Sequence, residues 1–188
     1  MSFWESNPKA HLQSLYTYFS GQDPKGTFDM NIFTVAFFGH RRIDDYFRLE
    51  SLLYERIRRL LSEKGYVEFL VGRNGEFDQM ASSAVLHMKK VYRSDNSALI
   101  LVLPYMTADY RNNQKSYESY YDGIELSSAS TFVYPKSAIQ ARNREMVDRA
   151  NLILCYVNKE SGGAYQTIQY AVRCGKRIEN LAEKGANL

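Results

Sequence analysis

The sequence predicts an α/β protein whose open parallel sheet has about five strands and carries helices on both faces. Short apolar runs rich in β-branched and aromatic residues alternate with segments in which apolar residues recur every three or four positions. A repeated order of strand and helix implies parallel pairing through right-handed crossovers. The length of 188 residues suits one such domain.

Composition and charge are those of an ordinary globular protein. Hydrophobic residues make up 45% and charged residues 24%, which argues against disorder and against a fibrous class. The net charge of +3 is small, so we rank nucleic acid last among the partners. No apolar run is long enough to span a membrane, and the N-terminus lacks a secretion signal, so we expect a cytoplasmic protein.

The elements follow one another in a regular order. We expect an N-terminal extension over residues 1–30, with one short helix at about 9–19, and a single domain over 31–188. A first strand at 32–38 ends at Gly39, and an amphipathic helix at 44–64 ends before Gly65. The further strands are predicted at 66–71, 98–103, 152–157 and about 176–181, and the further helices at about 77–91, 138–150 and 162–174.

Residues 104–137 interrupt this rhythm. The stretch shows no clear helical or strand period and is long for a connection inside a compact domain. It forms either a flap over a ligand site or small structure without a readable period. Its six tyrosines are Tyr105, Tyr110, Tyr117, Tyr120, Tyr121 and Tyr134.

Three polar, glycine-containing loops follow strands of the predicted sheet. In open parallel sheets, ligands bind where the strands end, near the switch in strand order. None of the loops matches a P-loop or a dinucleotide fingerprint, and tight turns without a ligand are the alternative for Gly39 and Gly72. The ligand-binding candidates are Gly39, His40 and Arg41 in the first loop, Gly72, Arg73, Asn74 and Gly75 in the second, and Gly162, Gly163, Ala164, Tyr165 and Thr167 in the third.

The third loop has the features of an anion site. Gly162 and Gly163 lack Cβ atoms and permit positive φ, and the helix that follows begins with free N–H groups. Arg142 lies on the apolar face of the preceding helix, and a charge placed inward needs a partner. That partner is either an internal acidic side chain or a ligand phosphate or carboxylate.

Two acidic residues stand at the start of the second helix. Glu76 and Asp78 either cap its free N–H groups or, alternatively, bind ribose hydroxyls or act as a general base. His40 is a candidate hydrogen-bond donor to a ligand phosphate. The two cysteines, Cys155 and Cys174, are not spaced like metal ligands, and we expect both to be at least half-buried. The sequence predicts no metal site and no cofactor.

Four segments together resemble a known superfamily. They are an apolar strand followed by GHR, then FLVGRNGEFDQMA, then ARNREMVDRANLILCY, then SGGAYQTIQYA. The combination is similar to the SLOG superfamily, specifically its small bacterial and phage members, over about residues 33–182. The resemblance implies a modified Rossmann fold that binds a nucleotide or a nucleotide-derived ligand, with glycines and a helix start at its phosphate.

The chain also resembles the Lonely Guy phosphoribohydrolases, which release a base from a nucleoside monophosphate. Their Arg-x-x-x-Met segment matches Arg142 to Met146, so the resemblance gives Arg142 a catalytic or phosphate-binding role. Their catalytic glutamate falls at Gln169 or Tyr170 here, and an amide cannot accept a proton as a carboxylate does. Glu76 is the alternative carboxylate.

The leading functional prediction is a nucleotide-binding sensor or binding module, which we expect to form a homodimer. The alternative is an N-glycosidic-bond hydrolase or transferase acting on nucleoside monophosphates, with Glu76, Asp78 and Arg142 as its catalytic residues. The predicted partner is a nucleotide-type small molecule, with no membrane contact.

Overall fold

The computed structural model describes residues 31–130 and 134–182, apart from the side chains of residues 135 and 136. The predicted extension and its helix at 9–19 lie outside the described residues. The strands are β1 (Ile32–Gly39), β2 (Tyr66–Val71), β3 (Ser97–Leu103), β4 (Gly123–Leu126), β5 (Leu152–Tyr156) and β6 (Arg177–Asn180). The helices are α1 (Tyr46–Glu63), α2 (Glu76–Val91), α3 (Ala108–Asn112), α4 (Gln114–Tyr120), α5 (Pro135–Arg149) and α6 (Gly162–Arg173).

The strands form one parallel sheet in the order β4-β3-β2-β1-β5-β6. The α/β Rossmann-like class is therefore confirmed, with six strands in the described chain instead of about five. The additional strand is β4, which lies within the stretch where the sequence shows no period. It is an edge strand of only four residues, and Leu126 at its end is 52% exposed. So short a strand shows too little alternation of apolar and polar residues to be recognised in the sequence.

Alternating side chains of the central strand build two separate cores. Val35 and Phe37 pack on the face covered by α1 and α2, whereas Ala36 and Phe38 pack on the face covered by α5 and α6. Each large side chain buried in this way contributes about 1.5–3 kcal/mol. The central strand is apolar on both sides because helices cover both sides.

Helix α1 forms where the apolar period predicts it. Leu49, Leu53 and Ile57 recur at intervals of four and are fully buried. The side chain of Asp45 accepts a hydrogen bond from the backbone N–H of Arg48 at 3.3 Å, which caps the start of the helix. The helix ends at Glu63, one residue before the predicted end.

The stretch between β3 and α5 contains small structure. Its two short helices and β4 make it part of the fold, and Tyr117 and Tyr121 are buried in the core. Helices of five and seven residues are too short to show a helical period, which is why the sequence leaves this stretch unassigned. Cys155 is buried as expected, but Cys174 is exposed because it follows the last turn of α6.

The strand order places the topological switch between β1 and β5. From β1 the chain adds β2, β3 and β4 in one direction, and α5 then returns it to β5 on the other side of β1. The loops after β1 and β5 consequently leave the sheet in opposite directions at the edge where the strands end. We call this edge the carboxyl edge.

Candidate functional site

The loops after β1 and β2 are packed against each other at the carboxyl edge. A Cβ atom on Gly75 would lie 2.6 Å from Cα of Arg41, so this contact requires glycine. The backbone N–H of Glu76 donates to the carbonyl of Arg41 at 3.0 Å. The Glu76 carboxylate in turn accepts from the N–H of Ile43 at 2.9 Å. Glu76 therefore holds the first loop in place.

The loops after β1 and β5 are joined through His40. Its Nε2 accepts from the backbone N–H of Lys159 at 3.2 Å, and the amide of Asn158 donates to Asp44 at 2.9 Å. Burial lowers the pKa of His40, the charge of Lys159 lowers it further, and Asp44 opposes both. His40 is thus a neutral acceptor through Nε2, and that nitrogen does not donate to a phosphate in this arrangement.

Side chains packed against two positions of these loops leave no room for a Cβ atom, which accounts for glycine at both. A Cβ on Gly39 would lie 2.3 Å from Cγ of Phe77. A Cβ on Gly72 would lie 2.6 Å from Nη1 of Arg142 and 2.9 Å from Oδ2 of Asp78. Neither glycine has a positive φ, so close approach and not turn geometry accounts for both.

Arg142 lies inside the fold, as its position on the apolar face predicts. Its side chain is 2% exposed, and Nη1 donates to the carbonyl of Val102 at 2.7 Å. It faces Asp78 across the end of β2, where Gly72 leaves room for the guanidinium group. Nε has no hydrogen-bond partner in the described chain. Burial lowers the pKa of Arg142, and the Asp78 charge partly restores it.

Asp78 is equally enclosed. It is 8% exposed and accepts a hydrogen bond from the N–H of Asn74 at 2.8 Å. Burial raises its pKa, and that hydrogen bond and the charge of Arg142 offset only part of the rise. Arg142 and Asp78 thus face each other inside the fold, and almost no surface of either is open to a ligand.

The start of α6 is open to solvent. Gly162 has φ +87°, and Ser161 makes no side-chain hydrogen bond that caps the helix. A Cβ atom on Gly162 or Gly163 would meet nothing within 4 Å. Ala164 and Tyr165 are half-buried at the same end. The first N–H groups of this helix are therefore accessible to an anion.

Thr167 connects α6 to α5. It is buried, its hydroxyl donates to the carbonyl of Gly163 at 2.8 Å, and it accepts from the amide of Asn143 at 3.0 Å. The structure thus turns Thr167 away from the open helix start.

Arg73 and Asn74 are exposed in the loop after β2. The guanidinium carbon of Arg73 lies 4.5 Å from the ring centroid of Tyr117. Burial lowers the pKa of Arg73, but a hydrogen bond to Tyr121 and nearby acidic groups raise it more, for a net increase. The short helices after β3 thus contact a predicted ligand-binding residue.

Exposed aromatic residues at the carboxyl edge were missed from the sequence. Tyr46 and Phe47, at the start of α1, are 51% and 83% exposed. Tyr105 follows β3 and is 47% exposed, and Tyr134, at the start of α5, is 86% exposed. Tyr46 fits the apolar period of α1. That period identifies one face of the helix, but it does not show that the first residues of this face extend beyond the core. The one signal in the sequence is that these residues stand next to predicted loops.

Two classes of site have no support in the described part of the chain. No cluster of three or more His, Cys, Asp or Glu side chains is placed to hold a metal ion. No helix among residues 31–130 and 134–182 is long and apolar enough to cross a membrane.

Solved structures with this fold include two DNA processing proteins. DNA processing protein A from Helicobacter pylori, which binds single-stranded DNA, superposes with a TM-score of 0.56 at 18% identity over 82% of this chain and 69% of that one. DNA processing protein A from Streptococcus pneumoniae gives a TM-score of 0.55 at 17% identity, over 79% of this chain and 50% of that one. No protein-family model and no curated protein matches the chain by sequence.

The likeness establishes a shared Rossmann-like fold, and the present chain spans half of the Streptococcus pneumoniae protein. It also corrects two predictions. The small-nucleotide sensor and the N-glycosidic-bond enzyme are both contradicted, because the structural neighbours are DNA processing proteins. The ranking of nucleic acid as the last partner is wrong for the same reason: a protein with this fold binds single-stranded DNA.

Proposed function

We propose that this chain binds single-stranded DNA along the carboxyl edge of its sheet. The observation that carries the proposal is a mixture of exposed cations and exposed aromatic side chains on loops and helix starts at this edge. We call it the edge patch. It consists of Arg41, Arg42, Tyr46, Phe47, Tyr105, Tyr134 and Lys159.

The cations of the edge patch are available to phosphates. Arg41, Arg42 and Lys159 are exposed, and none of them forms an ion pair with a carboxylate in the described part of the chain. Arg41 and Lys159 come from loops that His40 links directly. A row of unpaired cations attracts a nucleic-acid backbone even where the net charge of the protein is small.

Three acidic side chains beside the edge patch are already engaged, whereas Glu160 is exposed next to Lys159. Asp44 accepts from Asn158, Asp45 caps α1, and Glu76 accepts from the first loop. Their hydrogen bonds orient them toward protein donors, although their charges still weaken the local field. We therefore expect a modest affinity for single-stranded DNA, with few phosphates contacted by cations.

The aromatic side chains favour a single strand over a duplex. Bases of single-stranded DNA are free to stack on exposed rings, and such stacking contributes about 1–3 kcal/mol per base. Tyr46 and Phe47 are close neighbours, with ring centroids 6.3 Å apart in an edge-to-face arrangement. Paired bases inside a duplex have no free face for these rings. The open start of α6 at Gly162 adds N–H groups for one phosphate.

Similarity to the Helicobacter pylori protein supports the proposal, since that protein has the same fold and binds single-stranded DNA. We keep three sequence-based expectations as parts of the proposal: a relationship to the SLOG superfamily, a domain that begins at about residue 31, and a cytoplasmic location. The loop glycines and Arg73 remain candidate ligand contacts within this framework.

Fluorescence anisotropy with a labelled oligodeoxythymidine of about 20 nucleotides tests the proposal. We expect the double variant Arg41→Ala and Arg42→Ala to weaken binding. The slope of log affinity against log salt should fall by about 0.7 for each phosphate that the variant no longer neutralises. Phe47→Ala should weaken binding by about 1–3 kcal/mol without changing that slope.

Arg173→Ala is the matched control, because Arg173 is an exposed arginine in the last turn of α6, at the opposite edge of the sheet. It should leave both affinity and slope unchanged. Equal losses of affinity for the control and the double variant would show unspecific attraction. Absence of binding at low salt would contradict the proposal.

A further inference from the structure

Arg73 is held on an aromatic surface built by the stretch after β3. Its guanidinium group lies over the ring of Tyr117, 4.5 Å from the centroid, and interacts favourably with the hydroxyl of Tyr121. The side chain of Asp109 adds an attractive charge. Arginine on an exposed loop ordinarily samples many rotamers, and these contacts select a small set of them.

The surface under Arg73 is itself fixed. Tyr117 donates its hydroxyl to Asp109, and its ring meets Tyr110 edge-to-face at 5.4 Å and Tyr121 at 6.2 Å. Tyr117 and Tyr121 are only 5% and 6% exposed. We call Tyr110, Tyr117 and Tyr121 the tyrosine platform. Because its two central rings belong to the core, the platform does not need DNA to assemble.

Arg73 lies next to the edge patch. Its loop contacts the loop of Arg41 so closely that residue 75 must be glycine. Stacking engages one face of the guanidinium plane and none of its five N–H donors, one of which can face the Tyr121 hydroxyl. Arg73 is exposed, so its remaining donors are free for the fork-like contact that guanidinium makes with a phosphate.

We propose that the tyrosine platform positions Arg73 to bind one phosphate of single-stranded DNA. This rests on the proposed function. Arg73 is the residue that touches DNA, whereas Tyr117 and Tyr121 act through it as positioning residues. The stretch after β3 thereby has a role in binding although its helices lie beside, and not within, the loops that carry the cations.

Two neighbouring tyrosines provide a matched comparison. Tyr121→Phe removes the hydroxyl that interacts with Arg73 and keeps the ring. Tyr120→Phe removes a hydroxyl that contacts Ser83, at 3.2 Å, and does not touch Arg73. We expect Arg73→Ala to weaken oligodeoxythymidine binding about tenfold, Tyr121→Phe to weaken it about threefold, and Tyr120→Phe to have no effect.

Coupling separates positioning from a general structural effect. In the Arg73→Ala background, Tyr121→Phe should cause no further loss of affinity, because the group it positions is already absent. Arg73→Lys, which keeps the charge without the planar stacking surface, should recover only part of the affinity. Thermal unfolding of each variant verifies that the fold persists.

The outcomes distinguish the two proposals. If the unaltered chain does not bind, both fall. If it binds, and Arg41→Ala with Arg42→Ala weakens it, but Tyr121→Phe behaves like Tyr120→Phe, the DNA-binding function stands and the positioning role is overturned. Independent, additive losses of affinity for Tyr121→Phe and Arg73→Ala would overturn the positioning role as well.

Discussion

Gly39 and Gly163 lie at the same edge of the sheet in opposite surroundings. A Cβ on Gly39 would enter the ring of Phe77, which is fully buried and cannot move aside. A Cβ on Gly163 would meet open space, and Gly163 lies in the first turn of α6 without a positive φ. A glycine in a loop pattern therefore has no single structural role, and the atoms packed around it determine whether a side chain is tolerated.

The two glycines give opposite predictions for alanine. Gly39→Ala should lower the free energy of unfolding by about 1–3 kcal/mol through overpacking. Gly163→Ala should leave it unchanged or raise it by as much as about 1 kcal/mol, because alanine favours a helix. Urea unfolding measures both. Equal effects of the two substitutions would contradict the packing described here.

His40 gives the fold a pH-dependent contribution. Its folded-state pKa lies below the ordinary value of about 6.5, so the unfolded chain takes up the proton more readily as pH falls. This contribution to stability is complete above that value and decreases as pH drops below it. His40→Gln, which cannot be protonated, should lose less stability between about pH 7.5 and pH 5 than the unaltered chain. Urea unfolding at several pH values checks this, and parallel curves would contradict it.

At the scale of elements, Arg142 connects the two layers of helices. It extends from α5, donates to the carbonyl of Val102 on β3, and faces Asp78 of α2 across Gly72 at the end of β2. The sequence could place Arg142 on an inward face because the helical period fixes that direction. It could not identify Asp78 or Val102, since these partners depend on how distant elements come together.

Removing one member of this pair should destabilise the fold strongly. Arg142→Ala leaves Asp78 buried without its facing cation, and we expect a loss of about 3–5 kcal/mol in the free energy of unfolding. Combining Arg142→Met with Asp78→Asn removes both charges and should recover part of that loss. Urea unfolding of the single and double variants decides between this structural role and a ligand role. Full stability of Arg142→Ala would contradict the structural one.

For the whole molecule, sequence patterns predicted the sheet better than the site. Both ends of the strand at 66–71 were predicted correctly, because Gly65 and Gly72 flank the run between them. The edge strand β4 and the helices α3 and α4 were missed because each spans at most two periods, too few for a repeat to be recognised. Arg41 was a predicted ligand contact, but the aromatic members of the edge patch were missed because exposed aromatics such as Phe47 look the same in a sequence as buried ones.

The net charge of the chain also led to the wrong ranking of nucleic acid among the partners. A value of +3 averages over the entire surface, whereas the proposed binding depends on a few exposed cations that the fold gathers at one edge. The Rossmann-like topology brings the loops after β1, β2, β3 and β5 to that edge, although they are far apart in the chain. The proposed DNA-binding surface is therefore defined by its location, along the carboxyl edge.

Hydrogen–deuterium exchange with and without oligodeoxythymidine tests that location directly. We predict slower exchange in the loops at residues 39–47, 72–75, 104–107 and 157–163. We predict no change in the loops at the opposite edge of the sheet, at residues 64–66, 92–97 and 173–177. Protection of the opposite edge, or uniform exchange despite measurable binding, would contradict the account.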